Sequence, residues 1–514
     1  MSLITRRNLI RGAAGLGGAV AIGGLTGCSK TDSLVGPDAV AVGKAEAARR
    51  RSGGSLVTKR LVAQRATIDL GGLSVATWAY GDSVPGPLLR ATAGDTLRID
   101  VTNDLPSTDT SVHWHGIALR NDMDGVPGVT QDPIAAGESF RYEFVIPDPG
   151  TYFYHPHTGV QLDRGLYGVL VVDDPEEPGG YDAEWVVVLD DWIDGTGTTP
   201  DDTLKELQSV KASGSTENGG MGDMHDMHGM HGMDGMSGMG GMDSGMQSAI
   251  IGGAGDISYP HYVVNGRTPQ APVTLTGKPG QRVRIRLVNA GSDTAFRVAL
   301  GGHRLTVTHS DGFAVAPVET DALMIGMGER FDVMVTLGEG VFPLVALAEG
   351  KQGQGLALVR TAAGRAPGAT VRPAELGGQI VLGSDLDPAE STRLAERGVD
   401  RRHSLVLGGS MAPYQWTING KTFPDAAPLP VHQGERVRLR FSNRTMMFHP
   451  MHLHGHTFAV VDGGARKDTV IVRPMQSLDV DLDADNPGQW AAHCHNIYHA
   501  ESGMMTTLSY RSDD

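Results

Sequence analysis

A pattern of alternating hydrophobic and polar positions occurs three times along the chain. Each copy begins at a glycine and ends at an asparagine, and the copies span residues 94–103, 280–289 and 434–443. Because successive side chains of a β-strand point to opposite faces, this alternation predicts a half-buried strand in each copy. A second predicted strand follows, starting near Ser139, Arg330 and Ser477. The repeat therefore predicts an all-β chain of three consecutive β-sandwich domains.

The 514 residues are too many for one ordinary domain, which agrees with three repeated units. We place the boundaries where the repeats and the composition change. The predicted parts are an export signal at 1–28, a flexible tether at 29–55, and domains at 56–178, 179–370 and 371–514.

A methionine-rich stretch interrupts the second domain at residues 214–255. A methionine spacing of three does not keep one face of a helix with 3.6 residues per turn, and the many glycines disfavour helix, so we expect a disordered loop. Thioethers are soft ligands that select Cu(I), which favours a copper-collecting role over a linker without function. The candidate ligands are Met221, Met224, Met227, Met230, Met233, Met236, Met239, Met242 and Met246.

The first residues resemble a bacterial export signal. Thr5–Leu9 contains two adjacent arginines, an apolar stretch follows, and residues 25–28 end at Cys28 in a pattern typical of lipoproteins. We expect export by the twin-arginine route and a lipid on Cys28 that anchors the protein to the outer face of the cytoplasmic membrane, or else a periplasmic protein. A soluble secreted protein cut nearby is the alternative. Since Cys28 and Cys494 each have their own explanation, we predict no disulfide.

The net charge of −16 at pH 7 argues against nucleic acid as a partner, because phosphate backbones would repel the chain. An acidic surface can attract metal cations or simply keep an exported protein soluble. We expect a monomer.

Four His-x-His pairs are the strongest chemical signal in the sequence. Residues two apart on a strand face the same side, so each pair can direct two imidazoles into one cavity. Two pairs belong to each outer domain, whereas the middle domain has none and is predicted to be a structural spacer. Isolated pairs often have structural roles, but four in matching settings favour a metal cluster between domains. The pairs are His113/His115, His155/His157, His452/His454 and His493/His495.

Cys494 adds a second centre. With His449 and His499 it forms a His₂Cys set, and Met504 follows at a distance suited to a weak axial ligand. A thiolate, two imidazoles and a thioether are typical of a blue-copper electron-transfer site. Zinc also accepts cysteine and histidine, but zinc would leave eight further imidazoles unexplained.

These histidine and cysteine segments resemble the copper motifs of three-domain multicopper oxidases. They are most similar to the actinobacterial and mycobacterial copper-resistance oxidase lipoproteins and to the periplasmic copper efflux oxidases. The resemblance implies cupredoxin-like Greek-key domains and four copper ions. It also implies an oxidase that couples one-electron oxidation of a substrate to reduction of dioxygen to water.

The resemblance also assigns each ligand. It implies a type 1 copper at His449, Cys494, His499 and Met504, and a type 2 copper at His113 and His452. The implied type 3 coppers bind His115, His155 and His495, and His157, His454 and His493.

Reduction of dioxygen requires protons, and carboxylates near the cluster are the expected carriers. Asp124 lies at the family spacing after His113. A second family acid often follows the last type 1 histidine directly, but Ala500 occupies that position in this chain. Glu501, one residue later, is the candidate replacement.

The preferred substrate is Cu(I), with copper detoxification as the function. Met447 matches a methionine that holds substrate Cu(I) in copper efflux oxidases, and Met446 and Met451 are further candidates, although packing also explains such methionines. Thr445 replaces the aspartate of that family site. The alternative is a laccase in which small aromatic reductants such as phenols and amines, or Fe(II), donate electrons at an exposed type 1 edge. A copper store or a metal-free structural protein is a third possibility, although such a protein is expected to lose ligands.

Overall fold

The three repeated strands occupy equivalent places in three two-sheet sandwiches. The computed structural model describes residues 33–50, 53–177, 179–210, 247–461 and 464–512. Each repeated strand pairs in parallel with the first strand of its domain and antiparallel with the second predicted strand. In the first domain, the buried and half-buried positions of this strand alternate without exception. The predicted all-β, three-domain fold is therefore confirmed.

The first two domains each contain two sheets. In spatial order, the first domain has Ser74–Tyr80, Leu56–Asp69, Thr96–Asn103 and Ser139–Val145, packed on Leu89–Thr92, Gly168–Asp173, Gly150–His155 and His113–His115. One sheet of the second domain is His261–Val264, Ala183–Trp192, Arg282–Asn289, Arg330–Thr336, Leu305–Ser310 and Phe313–Thr320. Its other sheet is Val273–Thr276, Gln354–Arg360, Val341–Ala348, Phe296–Leu300, Ala322–Ile325 and Ile380–Val381.

The third domain repeats this plan and carries most of the predicted ligands. Its outer sheet is Tyr414–Ile418, Arg401–Met411, Arg436–Asn443, Ser477–Asp483, Phe458–Val460 and Arg466–Lys467. The sheet that bears the ligands is Leu429–Val431, Met505–Tyr510, Gln489–Cys494, His449–Leu453 and Thr469–Val472. Alternate apolar side chains of both sheets fill the space between them, around the fully buried Trp490.

Helices are few and short in the described part of the chain. The α-helices are Val40–Arg49, Pro200–Ser209 and Ile497–Glu501. Single 3₁₀ turns occur at Asn121–Met123, Gln161–Arg164, Ala374–Gly377, Gly383–Asp385 and Glu390–Thr392. No described helix is both long and apolar enough to cross a membrane.

The helix Val40–Arg49 corrects the prediction of a flexible tether at 29–55. Its alanines favour helix, and Val42 is fully buried against the first domain. The backbone N–H of Val145 donates to Glu46 Oε1 at 3.1 Å, and Arg49 Nη1 donates to the carbonyl of Ala118 at 2.7 Å. These contacts hold residues 40–49 on the domain surface as a docked helix.

The predicted disordered loop at 214–255 is also too long. Residues 247–255 are folded, with a hairpin formed by Gln247–Ser248 and Gly252–Gly253. Ile251 is fully buried in a small hydrophobic cluster with Met324 and Phe448, so the second domain is tied to the third at this point. The hairpin therefore belongs to the folded interface.

Candidate metal centres

The four His-x-His pairs converge between the first and third domains. His113 pairs with His155 on the neighbouring strand of the first domain, and His452 pairs with His493 in the third domain. Across the domain boundary, the ring centroids of His113 and His454 are 3.7 Å apart. The eight imidazoles together form what we call the interdomain cluster.

The ring nitrogens of the interdomain cluster form groups suited to metal binding. Within each group the candidate ligand atoms lie within 4.8 Å of one another. The groups include His115, His155 and His495; His157, His454 and His493; and His113, His115 and His452. The first two coincide with the sets expected for the type 3 ions, and the third contains the expected type 2 pair.

Many ring nitrogens of the interdomain cluster have no hydrogen-bond partner among the described residues. They are Nε2 of His113, His155, His157 and His452, Nδ1 of His115, and both nitrogens of His495. One buried polar atom without a partner costs about 1–3 kcal/mol, and native cores contain few of them. Ligation of these lone pairs by metal ions removes that cost, so the residues fit a copper cluster.

The opposite ring nitrogens are fixed by protein oxygens. His113 Nδ1 lies 2.9 Å from the carbonyl oxygen of Asp124, and His452 Nδ1 lies 2.9 Å from that of Asp468. His493 uses the carbonyl of the residue that follows it, at 2.8 Å. Since a carbonyl only accepts, Nδ1 carries the proton and Nε2 keeps a lone pair for a metal.

Burial keeps these rings uncharged. Desolvation is the largest cause that lowers the pKa of the ligand histidines, and neighbouring imidazoles add to the effect at most of them. The rings whose pKa is lowered are His115, His155, His157, His449, His452, His454, His493 and His495. Neutral imidazole is the form that binds transition metals.

Asp124 lies beside the interdomain cluster. The side chain is fully buried, its Oδ2 lies 2.9 Å from His454 Nδ1, and its carbonyl accepts from His113. The other carboxylate oxygen, Oδ1, lies 3.3 Å from His113 Nδ1 and has no hydrogen-bond partner in the described part of the chain. Asp124 therefore orients two rings and keeps one oxygen that accepts no hydrogen bond and can exchange a proton.

Asp468 is a second buried acid at the cluster, and it is not among the residues predicted from the sequence. Its Oδ1 lies 3.1 Å from His115 Nε2, while its carbonyl accepts from His452. Burial favours a raised pKa for Asp468, but the charge of Arg330 and the histidine hydrogen bonds outweigh burial and hold the pKa well below its usual range. Asp468 lies between two short strands outside every repeated motif, so no sequence pattern marks it.

The second metal centre lies inside the third domain, where His449, Cys494 and His499 form what we call the type 1 site. The two Nδ1 atoms are 3.1 Å apart and lie 3.6 and 3.7 Å from Cys494 Sγ. The centre of this triangle is about 2 Å from each corner, close to a metal–imidazole bond length. Burial raises the pKa of the Cys494 thiol, so a thiolate at this position requires a bound cation. A trigonal His₂Cys set of this kind suits copper.

Met504, the expected axial ligand, is fully buried next to these residues. Its backbone N–H donates to the carbonyl of His499 at 3.0 Å, and its own carbonyl accepts from the N–H of Cys494 at 3.1 Å. The two bonds fold the chain back on itself and bring Met504 beside the residues with which it is predicted to act.

Neither histidine of the type 1 site reaches solvent, contrary to the exposed edge expected from the sequence. His449 and His499 are fully buried. His449 Nε2 lies 2.8 Å from Thr445 Oγ1, and His499 Nε2 lies 2.9 Å from Asp256 Oδ2. Asp256 belongs to the second domain and follows the hairpin at 247–253 closely. It is not predictable from the sequence, because no spacing relates it to His499.

The methionines near the type 1 site differ in exposure. Met446 is 71% exposed, and Met447 is half-buried with its sulfur facing Gly253, where an added Cβ would lie 3.1 Å away. Met451 is fully buried, so its thioether belongs to the core, whereas Met475, which is not among the predicted candidates, is 59% exposed. The other methionine candidates, residues 221–246, lie outside the described residues.

The loops that carry the exposed methionines lie side by side. The side-chain amide of Asn443 donates to the carbonyls of Met447 at 2.7 Å and Arg473 at 3.0 Å. The hairpin packs against the second loop, because a Cβ on Gly252 would lie 2.4 Å from the Pro474 ring. We call this area the methionine surface, and it consists of Met446, Met447 and Met475.

Glu501 lies at a cleft that leads toward the interdomain cluster. The cleft has a volume of about 720 Å³ and is lined by Ala500, Glu501 and His157 among others. A pocket of about 20 Å³ shares Glu501 and touches His155 as well, which is room for roughly one water molecule. Although part of the residue is exposed, burial against the cleft wall raises the pKa of Glu501 to about 7, and Asp201 adds to the rise.

Most of the chain matches known proteins. Residues 62–177, 184–364 and 400–514 match family models described as multicopper oxidase. Multicopper oxidase MmcO of Mycobacterium tuberculosis is 49% identical over 503 residues, which cover 96% of this chain and 95% of that protein. A copper resistance protein A homolog of Pseudomonas syringae pv. tomato is 30% identical and covers 85% of this chain and 90% of its own.

The fold has solved counterparts. The crystal structure of Fet3p, a multicopper oxidase that functions in iron import, superposes with a TM-score of 0.72 at 22% identity, and covers 88% of this chain and 90% of its own. At this identity the likeness concerns the fold alone.

Proposed function

The chain belongs to the multicopper oxidase family, and from this premise we propose that the substrate it oxidises is Cu(I). The enzyme holds four copper ions, one of type 1, one of type 2 and two of type 3. When bound, these ions accept electrons singly from a substrate and together reduce dioxygen to water.

We assign the ions to the residues whose lone pairs converge. The type 1 ion is assigned to His449, Cys494, His499 and Met504, and the type 2 ion to His113 and His452. The two type 3 ions are assigned to His115, His155 and His495, and to His157, His454 and His493.

One observation favours Cu(I) over larger reductants: both type 1 histidines are fully buried, and two of the methionines of the methionine surface lie two and three residues before His449. A bulky aromatic donor has no exposed histidine edge to touch. A small cation, in contrast, can bind the thioether of Met447, two residues from His449. Thr445 Oγ1 links them, because it accepts from the Met447 N–H at 3.2 Å and lies 2.8 Å from His449 Nε2.

The methionine-rich run is the proposed source of this Cu(I). Thioethers select Cu(I) over harder divalent ions. Met246, the last methionine of the run, directly precedes the hairpin that packs on Met447 and Pro474. Copper bound by the run is therefore tethered next to the methionine surface, which raises its local concentration there. A relative named for copper resistance agrees with detoxification as the role.

Oxidation of phenols, aromatic amines or Fe(II) is the second candidate, and one contact favours it. Tyr414 lines the cleft of about 720 Å³. Its hydroxyl donates to Asp256 Oδ2 at 2.6 Å, and the same oxygen lies 2.9 Å from His499 Nε2. A reductant in the cleft would thus be two hydrogen bonds from the type 1 site.

We assign proton transfer to Asp124 and Glu501. Asp124 has one oxygen without a hydrogen bond among the described residues, and its other oxygen contacts His454, a proposed type 3 ligand. Glu501, whose pKa is raised to about 7 by burial, lies in both the outer cleft and the small pocket against the interdomain cluster. A water in that pocket would connect its carboxyl to the cluster in place of an acid at Ala500.

Export and anchoring are proposed from the sequence alone. The paired Arg6 and Arg7 suit the twin-arginine route, and Cys28 suits lipidation at the outer face of the cytoplasmic membrane or in the periplasm. Cys28 lies outside the described residues. A monomer is the proposed state in solution.

The test compares Cu(I) and phenol oxidation in the copper-loaded full chain. Replacement of Met447 or Met475 by leucine, or deletion of residues 221–246, should lower the rate at low Cu(I) several-fold. Phenol oxidation should stay equal or rise in all of these variants. Leucine keeps the volume of methionine and removes only a soft ligand, and the deletion removes only the methionine-rich run. Met334→Leu, on a strand of the second domain, is the matched control. Equal losses for both substrates would favour the laccase alternative.

A further inference from the structure

A turn of the second domain touches the interdomain cluster, although the sequence predicts that domain to be a spacer. Gly328 has a φ of +82°, and a Cβ there would lie 2.8 Å from His495 Cδ2 and 3.0 Å from His115 Cε1. A residue without a side chain is needed for so close an approach. The turn therefore packs directly on one imidazole from each outer domain.

Arg330 follows this turn as the first residue of the strand Arg330–Thr336, and it is fully buried. Its Nη1 and Nη2 donate to Asp468 Oδ1 and Oδ2 at 2.7 and 2.6 Å, and its Nε donates to the carbonyl of Thr151 at 3.0 Å. A bidentate guanidinium–carboxylate pair fixes both distance and orientation. One side chain of the second domain thereby connects to the first domain and to the third.

Asp468, which Arg330 holds in a fixed orientation, in turn contacts two of the proposed copper ligands. Its Oδ1 lies 3.1 Å from His115 Nε2 and 3.4 Å from His452 Nδ1, and its carbonyl accepts from the same His452 nitrogen at 2.9 Å. Gly116 has a φ of +87°, and a Cβ on it would lie 2.4 Å from Arg330 Nη2. Glycine at position 116 therefore leaves the space beside His115 that the Arg330 guanidinium occupies.

We propose that Arg330 is a positioning residue of the interdomain cluster, which holds Asp468 and, through it, the rings of His115 and His452 in the orientation that copper requires. The second domain thereby takes part in the dioxygen reaction without supplying any of the proposed ligands. The proposal does not depend on which reductant feeds the type 1 site.

If the Arg330–Asp468 ion pair only stabilised the fold, its loss would lower stability without disturbing the copper ions. Arg284 serves as the comparison that distinguishes this structural role from a positioning role. Arg284 is also buried in the second domain and donates to the buried Asp332, with Nε 3.0 Å from Oδ2. Among the described residues, this pair makes no direct contact with a proposed copper ligand or with Asp468. It meets Arg330 only through Thr151, whose hydroxyl donates to Asp332 Oδ1 at 2.7 Å and whose carbonyl accepts from Arg330. Loss of either arginine should lower stability, but only loss of Arg330 should disturb the copper ions.

The experiment measures the copper-loaded full chain and the variants Arg330→Lys, Arg330→Met and Arg284→Met. We expect Arg330→Met to keep the blue absorption of the type 1 site. Its type 2 electron paramagnetic resonance spectrum should change, and reoxidation of the reduced protein by air should slow by about 10–100-fold. Arg330→Lys keeps the positive charge but cannot form both parallel hydrogen bonds to Asp468, so an intermediate effect is expected. Arg284→Met should share only the fall in melting temperature.

An unchanged type 2 spectrum with normal reoxidation in Arg330→Met would overturn the proposal. If Arg330→Met does not fold, Arg330→Lys decides in the same way. Equal spectral changes in the Arg284→Met variant would also overturn it, since the effect would then come from general loosening of the second domain.

Discussion

Two aspartates, Asp124 and Asp468, hold the interdomain cluster from opposite sides in the same manner. Each binds a histidine of its own domain through its carbonyl oxygen and a histidine of the other outer domain through its carboxylate. They differ in their remaining partners. Arg330 donates to both oxygens of Asp468, whereas Asp124 Oδ1 accepts no hydrogen bond among the described residues and lies 3.3 Å from His113 Nδ1. Asp468 is therefore fixed as an anion, and Asp124 is the better proton carrier.

Asp124→Asn should slow turnover by about 100-fold or more, the usual contribution of a general acid or base. The amide keeps the shape and can still accept from His454, so copper content and blue absorption should stay unchanged. Steady-state turnover and copper analysis measure both effects. Asp122→Asn is the control, because Asp122 is paired with Arg120 away from the cluster. A copper-replete Asp124→Asn variant with full activity would place the proton route elsewhere.

The histidines and Cys494 could be predicted because their spacing repeats between two domains and is tied to strand geometry. Asp468, Arg330 and Asp256 could not. Asp468 and Asp256 contact rings that are distant in sequence, such as His115, 353 positions from Asp468, and Arg330 acts through Asp468. Their roles arise from the packing of domains, which no local pattern records.

At the scale of elements, the hairpin at 247–253 brings the second domain against the loops that flank the type 1 site. It packs on Met447 and Pro474 from one side and is anchored by the buried Ile251. It therefore packs against the loop that carries Thr445 and Met447, next to the side of the site on which Thr445 meets His449. Displacing this element should change which reductants gain access.

Gly253→Val tests this directly, because an added Cβ would lie 3.1 Å from both Met447 Sδ and the Met446 carbonyl. The hairpin should move outward, so phenol oxidation should rise and Cu(I) oxidation at low copper should fall, each by a few-fold. Gly368→Val is the control, since a Cβ at Gly368 meets nothing within 4 Å. Parallel changes for both substrates in Gly253→Val would show that the hairpin does not select between them.

Sequence patterns predict the long repeated strands well and the short docked elements poorly. Alternation over eight residues, as in Thr96–Asn103, is a strong local signal. The helix Val40–Arg49 and the hairpin carry weaker patterns, and each is held by a few buried residues, such as Val42 in the helix and Ile251 in the hairpin. Such short elements are stabilised by packing against another domain. Their composition alone therefore predicts disorder.

At the scale of the whole molecule, the two metal centres depend differently on domain assembly. The three atoms of the type 1 triangle all come from the third domain, on His449, Cys494 and His499. The interdomain cluster requires the first domain for half of its imidazoles and the second domain for the contacts of Gly328 and Arg330. Cys494 connects the centres, because His493 and His495 flank it in sequence.

Two variants should therefore fail in opposite ways. Cys494→Ser removes the thiolate, so blue absorption and substrate oxidation should be lost while the interdomain cluster still binds copper. His155→Ala leaves the third domain intact, so the blue band should remain, and anaerobic reductant should still bleach it. The band should then fail to return normally in air, because a ligand of the proposed type 3 set is missing. Copper content, blue absorbance and the rate of reoxidation distinguish the cases. Normal reoxidation in the His155→Ala variant, or a blue Cys494→Ser protein, would refute this division between the two centres.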